Sequence, residues 1–151
     1  MGDCFIKRRF LEVGAAVAGE VSGHFFFGEL GYDDGLYAAL MMGEILGLSE
    51  KPLSALADEI VCPPITPDIR LRCPYAEQQS WLDRVEALAE THPCKVSHMD
   101  GVRLDFDDGW VLMRKSVTAE QITLRAEADT PERLNELMAM VAQALPEGAL
   151  A

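Results

Sequence analysis

Two short stretches of this sequence hold residue types that could grip a ligand. In Gly19-Glu20-Val21-Ser22-Gly23-His24, a carboxylate and a hydroxyl stand two residues apart. In an extended segment both side chains project to one side, and the flanking glycines let the backbone come close to a ligand. A carboxylate accepts from hydroxyls and a serine both donates and accepts, which is the equipment for holding a sugar. The same residues also read as a plain glycine-flanked turn. In Arg114-Lys115-Ser116-Val117-Thr118, Arg114, Ser116 and Thr118 alternate as the chain leaves a strand. A guanidinium with two hydroxyls suits a phosphate dianion, because charge-assisted bonds to phosphate are the strong ones. The alternative is a polar connection between adjacent strands.

Other reactive side chains have structural readings. His92, Cys94 and His98 lie close together in sequence but match no zinc spacing, and Thr91-His92-Pro93 reads as a polar turn leading into a strand. The four cysteines, Cys4, Cys62, Cys73 and Cys94, form no Cys-x-x-Cys pair and are expected to be reduced thiols. Asp33, Asp34, Asp105, Asp107 and Asp108 are expected at a helix cap and a hairpin turn rather than in a metal site. No metal ligands are assigned.

The elements that carry these loops follow from periodicity. Phe5, Ile6, Phe10 and Val13 recur at helical spacing, and an apolar strand is expected at Ala15 to Ala18. After Phe25-Phe26-Phe27, Asp33 or Asp34 caps a helix through Leu36, Leu40 and Leu46, and Pro52 opens a short helix with Leu53, Leu56 and Ile60. Cys62-Pro63-Pro64-Ile65-Thr66-Pro67 cannot be helical, so a linker is placed at residues 62–68, between units 1–61 and 69–151. In the second unit, Ile69, Leu71 and Cys73 alternate with arginines as in a half-buried strand. A helix with Trp81, Val85 and Leu88 on one face follows. Further strands are expected at Val96, Val102 to Phe106, Trp110 to Met113 and Ile122 to Ala126, with a hairpin turn at Asp107-Asp108-Gly109. Thr130 and Pro131 start a final helix with Leu134, Leu137, Met138, Val141 and Leu145 as its stripe. The second unit is thus expected to be an antiparallel sheet covered on one face by two helices, an α+β fold.

Composition restricts the partners. The 151 residues are 49% hydrophobic and 25% charged, with a mean hydropathy of +0.05, as in an ordinary globular domain. Thirteen Lys and Arg against 25 Asp and Glu leave a net charge of −12, which repels nucleic acid and anionic lipid. No apolar run reaches the ~18 residues of a membrane span, and the N-terminus lacks a signal core. A cytoplasmic location is therefore expected.

Several segments together resemble one family. Gly19 to His24, Asp33-Asp34-Gly35-Leu36-Tyr37-Ala38-Ala39, Asp100-Gly101-Val102-Arg103, Asp108-Gly109-Trp110 and Leu124 to Thr130 occur in the order seen in the C-terminal third of bacterial phosphomannomutase/phosphoglucomutase enzymes, members of the phosphohexomutases. The resemblance implies that residues up to about Val61 end a third, α/β domain and that residues 69–151 form a C-terminal, phosphate-binding domain with a TATA-binding-protein-like fold. It implies sugar-hydroxyl contacts for Glu20, Ser22 and His24, and phosphate contacts for Arg114, Ser116 and Thr118. The implied reaction moves phosphate between the 1 and 6 positions of mannose or glucose, with magnesium and a hexose 1,6-bisphosphate as activator.

The departures are specific. Val21 replaces a methionine, Val117 stands where the family has asparagine, and Glu120 stands near its proline. Losing an amide partner and adding a carboxylate near a dianion is expected to weaken phosphate binding. The family's phosphoserine and aspartate-rich metal loops are not found in these residues. The chain is thus expected to recognise a hexose phosphate without being active alone, with the N-terminal mutase domains as a possible separate partner chain. The alternative is a non-catalytic phosphosugar-binding or mutase-docking module derived from the family.

Overall fold

The computed structural model describes residues 2–20 and 22–150, and side chains from Ile6 onward. Val21 and the side chain of Cys4 lie outside what is described. The chain divides into two compact units, Met1–Val61 and Cys62–Ala151.

In the first unit, helix α1 (Gly2–Val13) precedes a three-stranded antiparallel meander of β1 (Val17–Gly19), β2 (Phe25–Phe27) and β3 (Tyr32–Asp33). The first strand begins later than Ala15 because Gly14, at φ 61°, turns the chain out of α1 while Ala15 N–H still donates to Phe10 O. Phe10 and Phe26 meet at a tilt with ring centroids 5.8 Å apart, and Phe27 and Tyr37 meet edge to face at 4.7 Å. Helix α2 (Gly35–Leu48) starts at Asp34, whose carboxylate accepts from Tyr37 N–H at 2.9 Å. Asp33 is therefore not the cap. Helix α3 (Leu53–Ala57) is shorter than the apolar spacing suggested and leaves Ile60 outside it.

The second unit is a five-stranded antiparallel sheet, β4 (Ile69–Arg72), β5 (Lys95–Ser97), β6 (Val102–Phe106), β7 (Gly109–Lys115) and β8 (Gln121–Ala128), in the order β4-β8-β7-β6-β5. Its inward row includes Leu71, Val102, Leu104, Val111, Met113, Ile122, Leu124 and Ala126. Helices α4 (Gln78–Glu86), extended by a 3-10 turn at Ala87–Glu90, and α5 (Pro131–Ala144) cover that row with Trp81, Val85, Leu137 and Val141. Thr130 caps α5 by accepting from Arg133 N–H at 3.1 Å. The α+β class holds.

The proline-rich segment 62–68 differs from a free linker. It is extended, but Thr66 N–H donates to Ala126 O at 2.8 Å and Ala128 N–H donates to Pro64 O at 3.0 Å. Ala126 N–H in turn donates to Thr66 Oγ1, and Ile65 bridges Glu127. Proline supplies carbonyls but no N–H, so this stretch adds a partial rung beside β4 and belongs to the second unit.

Candidate functional site

Ser22 and Gly23 lie in a turn and bend between β1 and β2, not in an extended segment. Glu20 N–H donates to His24 O at 3.1 Å and Gly23 N–H donates to Glu20 O at 3.0 Å. Gly23 takes φ 91°, a conformation that L side chains resist. The turn still brings the three polar side chains together. Ser22 Oγ donates to Glu20 Oε1, and His24 Nε2 lies 4.0 Å from the same oxygen. Across the hairpin, Asp33 Oδ2 accepts from His24 Nδ1 at 2.9 Å. That hydrogen bond is the largest cause holding the Asp33 carboxyl below its ordinary value of 3.8. Asp33 was expected only as a cap; what places it here is hairpin pairing, which sets Asp33 opposite Phe26 and lets Asp34 N–H donate to Phe25 O.

The second candidate is organised differently from the simple alternation its sequence suggests. Arg114 and Lys115 belong to β7, and the chain then turns. Ser116 Oγ accepts from Thr118 N–H at 3.3 Å and Ala119 N–H at 3.2 Å, and it lies 3.5 Å from Thr118 Oγ1. Ser116 and Thr118 thus stay together. Arg114 faces Asp100, with Nη1 3.0 Å from Oδ2. Gly101 makes that approach possible: it sits at φ 94°, and a Cβ there would stand 2.3 Å from Met113 O and 2.8 Å from the Arg114 Cα. Val117 and Glu120 are exposed. No local pattern in the sequence gives Asp100 a partner; its place just before β6, whose Val102 pairs with Met113, brings it to Arg114.

The other reactive residues have separate partners. His92 Nδ1 lies 2.9 Å from Thr91 Oγ1 and 3.1 Å from Leu88 O, whereas His98 Nε2 lies 3.0 Å from Glu86 Oε2. Cys62, Cys73 and Cys94 are free thiols, and burial pushes the last two above the usual cysteine range, the direction of low reactivity. Among the described residues, no group of three or more His, Cys, Asp and Glu side chains is arranged to hold a metal ion. None of the helices in that part is long and apolar enough to cross a membrane.

Comparison with known proteins gives both units a lineage. Residues 1–62 match the family profile "Phosphoglucomutase/phosphomannomutase, alpha/beta/alpha domain III", and residues 69–144 match "Phosphoglucomutase/phosphomannomutase, C-terminal domain". The chain is 37% identical over 142 residues to a phosphomannomutase/phosphoglucomutase of Pseudomonas aeruginosa and 38% identical over 140 residues to a phosphoglucomutase of Neisseria gonorrhoeae. Each alignment covers 90% of this chain and 30% of the relative, so the chain spans about 30% of the length of these curated relatives. A crystal structure of a phosphoglucomutase/phosphomannomutase family protein from Burkholderia thailandensis superposes with a TM-score of 0.79 at 33% identity, covering 99% of this chain and 32% of the other. Two adjoining profiles, matched in order along one polypeptide, make this chain a member of the phosphoglucomutase/phosphomannomutase family.

Proposed function

We propose that this chain is the recognition end of a phosphohexomutase. The Glu20, Ser22 and His24 turn holds sugar hydroxyls, and Arg114, Ser116 and Thr118 hold the phosphate that is not being transferred, in the interconversion of hexose 1- and 6-phosphates of mannose or glucose. The observation that carries this reading is the β1–β2 turn, where a carboxylate, a hydroxyl and an imidazole gather on one hairpin end in a chain of this family. Binding energy from such remote contacts orients the reacting end of the sugar and so lowers the barrier elsewhere.

These residues supply contacts and not phosphoryl transfer. Ser22 donates to the Glu20 carboxylate and Ser116 caps its own turn, and this reading gives both hydroxyls to ligand contact. Magnesium, which the family implies, does not fit these four aspartates: Asp33 faces His24, Asp100 faces Arg114, Asp105 faces Arg103 and Asp108 faces Arg133, and no group of three ligands stands together among the described residues. No step of this function runs through a metal held by these side chains.

The Arg114–Asp100 pair, with Glu120 and Val117 in the adjoining turn, favours a second reading in which the phosphate loop has decayed and the chain is a weak phosphosugar-binding or mutase-docking module. Titration with glucose 1-phosphate tests the first reading: amide shifts are expected at Gly19 to His24 and at Arg114 to Thr118. Shifts confined to the first stretch would favour the decayed loop, and none at millimolar ligand would leave only the ancestry of the fold. A coupled mutase assay with magnesium and the bisphosphate should show no turnover by the chain alone. Turnover only on adding the first three domains of a related mutase would favour the recognition end.

A further inference from the structure

The outward face of the second unit's sheet carries charge that the functional reading leaves unused. Along β4, Ile69 and Leu71 pack on the core while Arg70 and Arg72 between and after them are exposed. Pairing sets Arg70 opposite Thr123 and Arg72 opposite Gln121 of β8. On the other side of β8, Thr123 is opposite Arg114, and Ser116 N–H donates to Gln121 O at 3.0 Å. Residues directly opposite share a face, so two rungs run outward, Arg70-Thr123-Arg114 and Arg72-Gln121-Ser116. The ends of each rung stand two strand spacings apart, about 10 Å, which leaves room for one ion between side chains reaching in from both ends.

The carboxylates nearby are engaged elsewhere. Asp68 faces Arg125 and Asp100 faces Arg114. Glu120 stands opposite Cys73, whose N–H donates to its carbonyl at 3.0 Å and whose side chain is buried in the core beneath the helices. The chain carries a net charge of −12, yet among the described residues neither Arg70 nor Arg72 has an ion pair. Nor do the Thr123 hydroxyl and the Gln121 amide make a side-chain hydrogen bond there. A guanidinium only donates, and a hydroxyl and an amide can donate, so this face presents donors without an acceptor.

We propose that Arg70 and Arg72 extend the phosphate site of this unit across the outer face of β8, so that a phosphate dianion lies over Thr123 and Gln121 with guanidiniums on both sides, two from β4 and that of Arg114 from β7. The ligand group is the phosphate assigned above to residues 114–118, and the part of Arg114 and Ser116 rests on that reading. The part of Arg70 and Arg72 rests on register and on their lack of a partner. Arg114 shares its charge with Asp100, whereas the two β4 arginines keep theirs for an anion from solution, which offsets the apolar Val117 in the loop.

The test titrates inorganic phosphate into the 151-residue chain at constant ionic strength and follows 15N amide shifts. Shifts are expected at Arg70 to Arg72 and Gln121 to Thr123 as well as at Arg114 to Thr118. Arg70→Gln and Arg72→Gln should each weaken binding about twofold to fivefold, the scale of one exposed charge pair, and the double variant about tenfold. Arg84→Gln removes the same charge from an exposed position on α4 and should leave the affinity unchanged. Unchanged affinity in the double variant, or an equal loss in Arg84→Gln, would overturn the proposal and leave Arg70 and Arg72 as charges that keep an edge strand from pairing with another sheet. Shifts at β4 and β8 that persist in Arg114→Gln would uphold the β4 arginines and refute Arg114 as a phosphate contact. Shifts confined to Arg114 to Thr118 would do the reverse, and none anywhere at millimolar phosphate would overturn both.

Discussion

In Cys62–Ala151 the central strands bury an unbroken inward row, from Leu104 and Val111 through Met113 and Leu124, against Val85, Leu137 and Val141 on two helices. In Met1–Val61 the buried side chains among the described residues are Phe10, Phe26 and Phe27, and α2 buries none of its 14 residues. The two units differ less in how apolar they are than in how apolar residues are arranged. Strict alternation along β8 sends one face inward and one outward, so a single sheet and two helices complete the core. Helix α2 instead carries Leu36, Leu40, Met42, Ile45 and Leu48 around its circumference, with Leu40 63% and Leu48 82% exposed. A helix apolar on all sides has the composition of one enclosed by other elements, and the described part of this unit encloses it incompletely.

The sharpest way to break this comparison is by truncating one residue in each unit. Leu124→Ala or Leu137→Ala removes a fully buried side chain and should cost about 2–5 kcal/mol in urea unfolding. Leu40→Ala should stay within about 0.5 kcal/mol. Equal losses would show that α2 is covered after all. Next in size, limited proteolysis should cut first between Asp58 and Cys62, ahead of the bonded stretch at Pro64 to Thr66, and leave a stable C-terminal fragment. Equal survival of both units would erase the contrast.

Two smaller effects sharpen the comparison at the loops. Asp100→Asn frees Arg114 from an exposed carboxylate and should tighten inorganic phosphate binding about twofold to fivefold, the scale of a surface ion pair, as read by isothermal titration. An unchanged or weaker affinity would show that Asp100 supports the loop rather than competing with it. In the first unit, the Asp33 carboxyl lies below its ordinary 3.8, so its contribution to folding is complete above that value and is lost as pH falls through the lowered one. Acid titration followed by amide signals of β1 to β3 should therefore show a small transition in that window, absent from Asp33→Asn. The carboxylate is solvent-exposed, which keeps this effect the smallest of the four.

Periodicity made the second unit legible. Ile122, Leu124 and Ala126 face inward because a one-residue slip would put all three in water, and Thr130 followed by Pro131 can scarcely be anything but a helix start. The residue types at Glu20, Ser22 and His24 were legible too, but their backbone was not, since two glycines allow extended and left-handed conformations alike and only Gly23 takes the latter. The partners Asp33 and Asp100 were hidden for another reason. Each is brought in by strand register, nine and fourteen residues from the group it touches, and register depends on pairing that local patterns do not specify.

The rung formed by residues 64–66 also bears on exchange with solvent. The amides of Thr66, Ala126 and Ala128 are all donors at this joint, to Ala126 O, Thr66 Oγ1 and Pro64 O. Ala126 and Ala128 lie within β8, so their deuterium uptake should be as slow as that of the sheet. Thr66, one bond outside it, is the reporter: an amide that exchanges with the sheet would mark the proline-rich stretch as part of the second unit's cooperative core, and one that exchanges early would mark it as a strap that opens while the sheet stays closed.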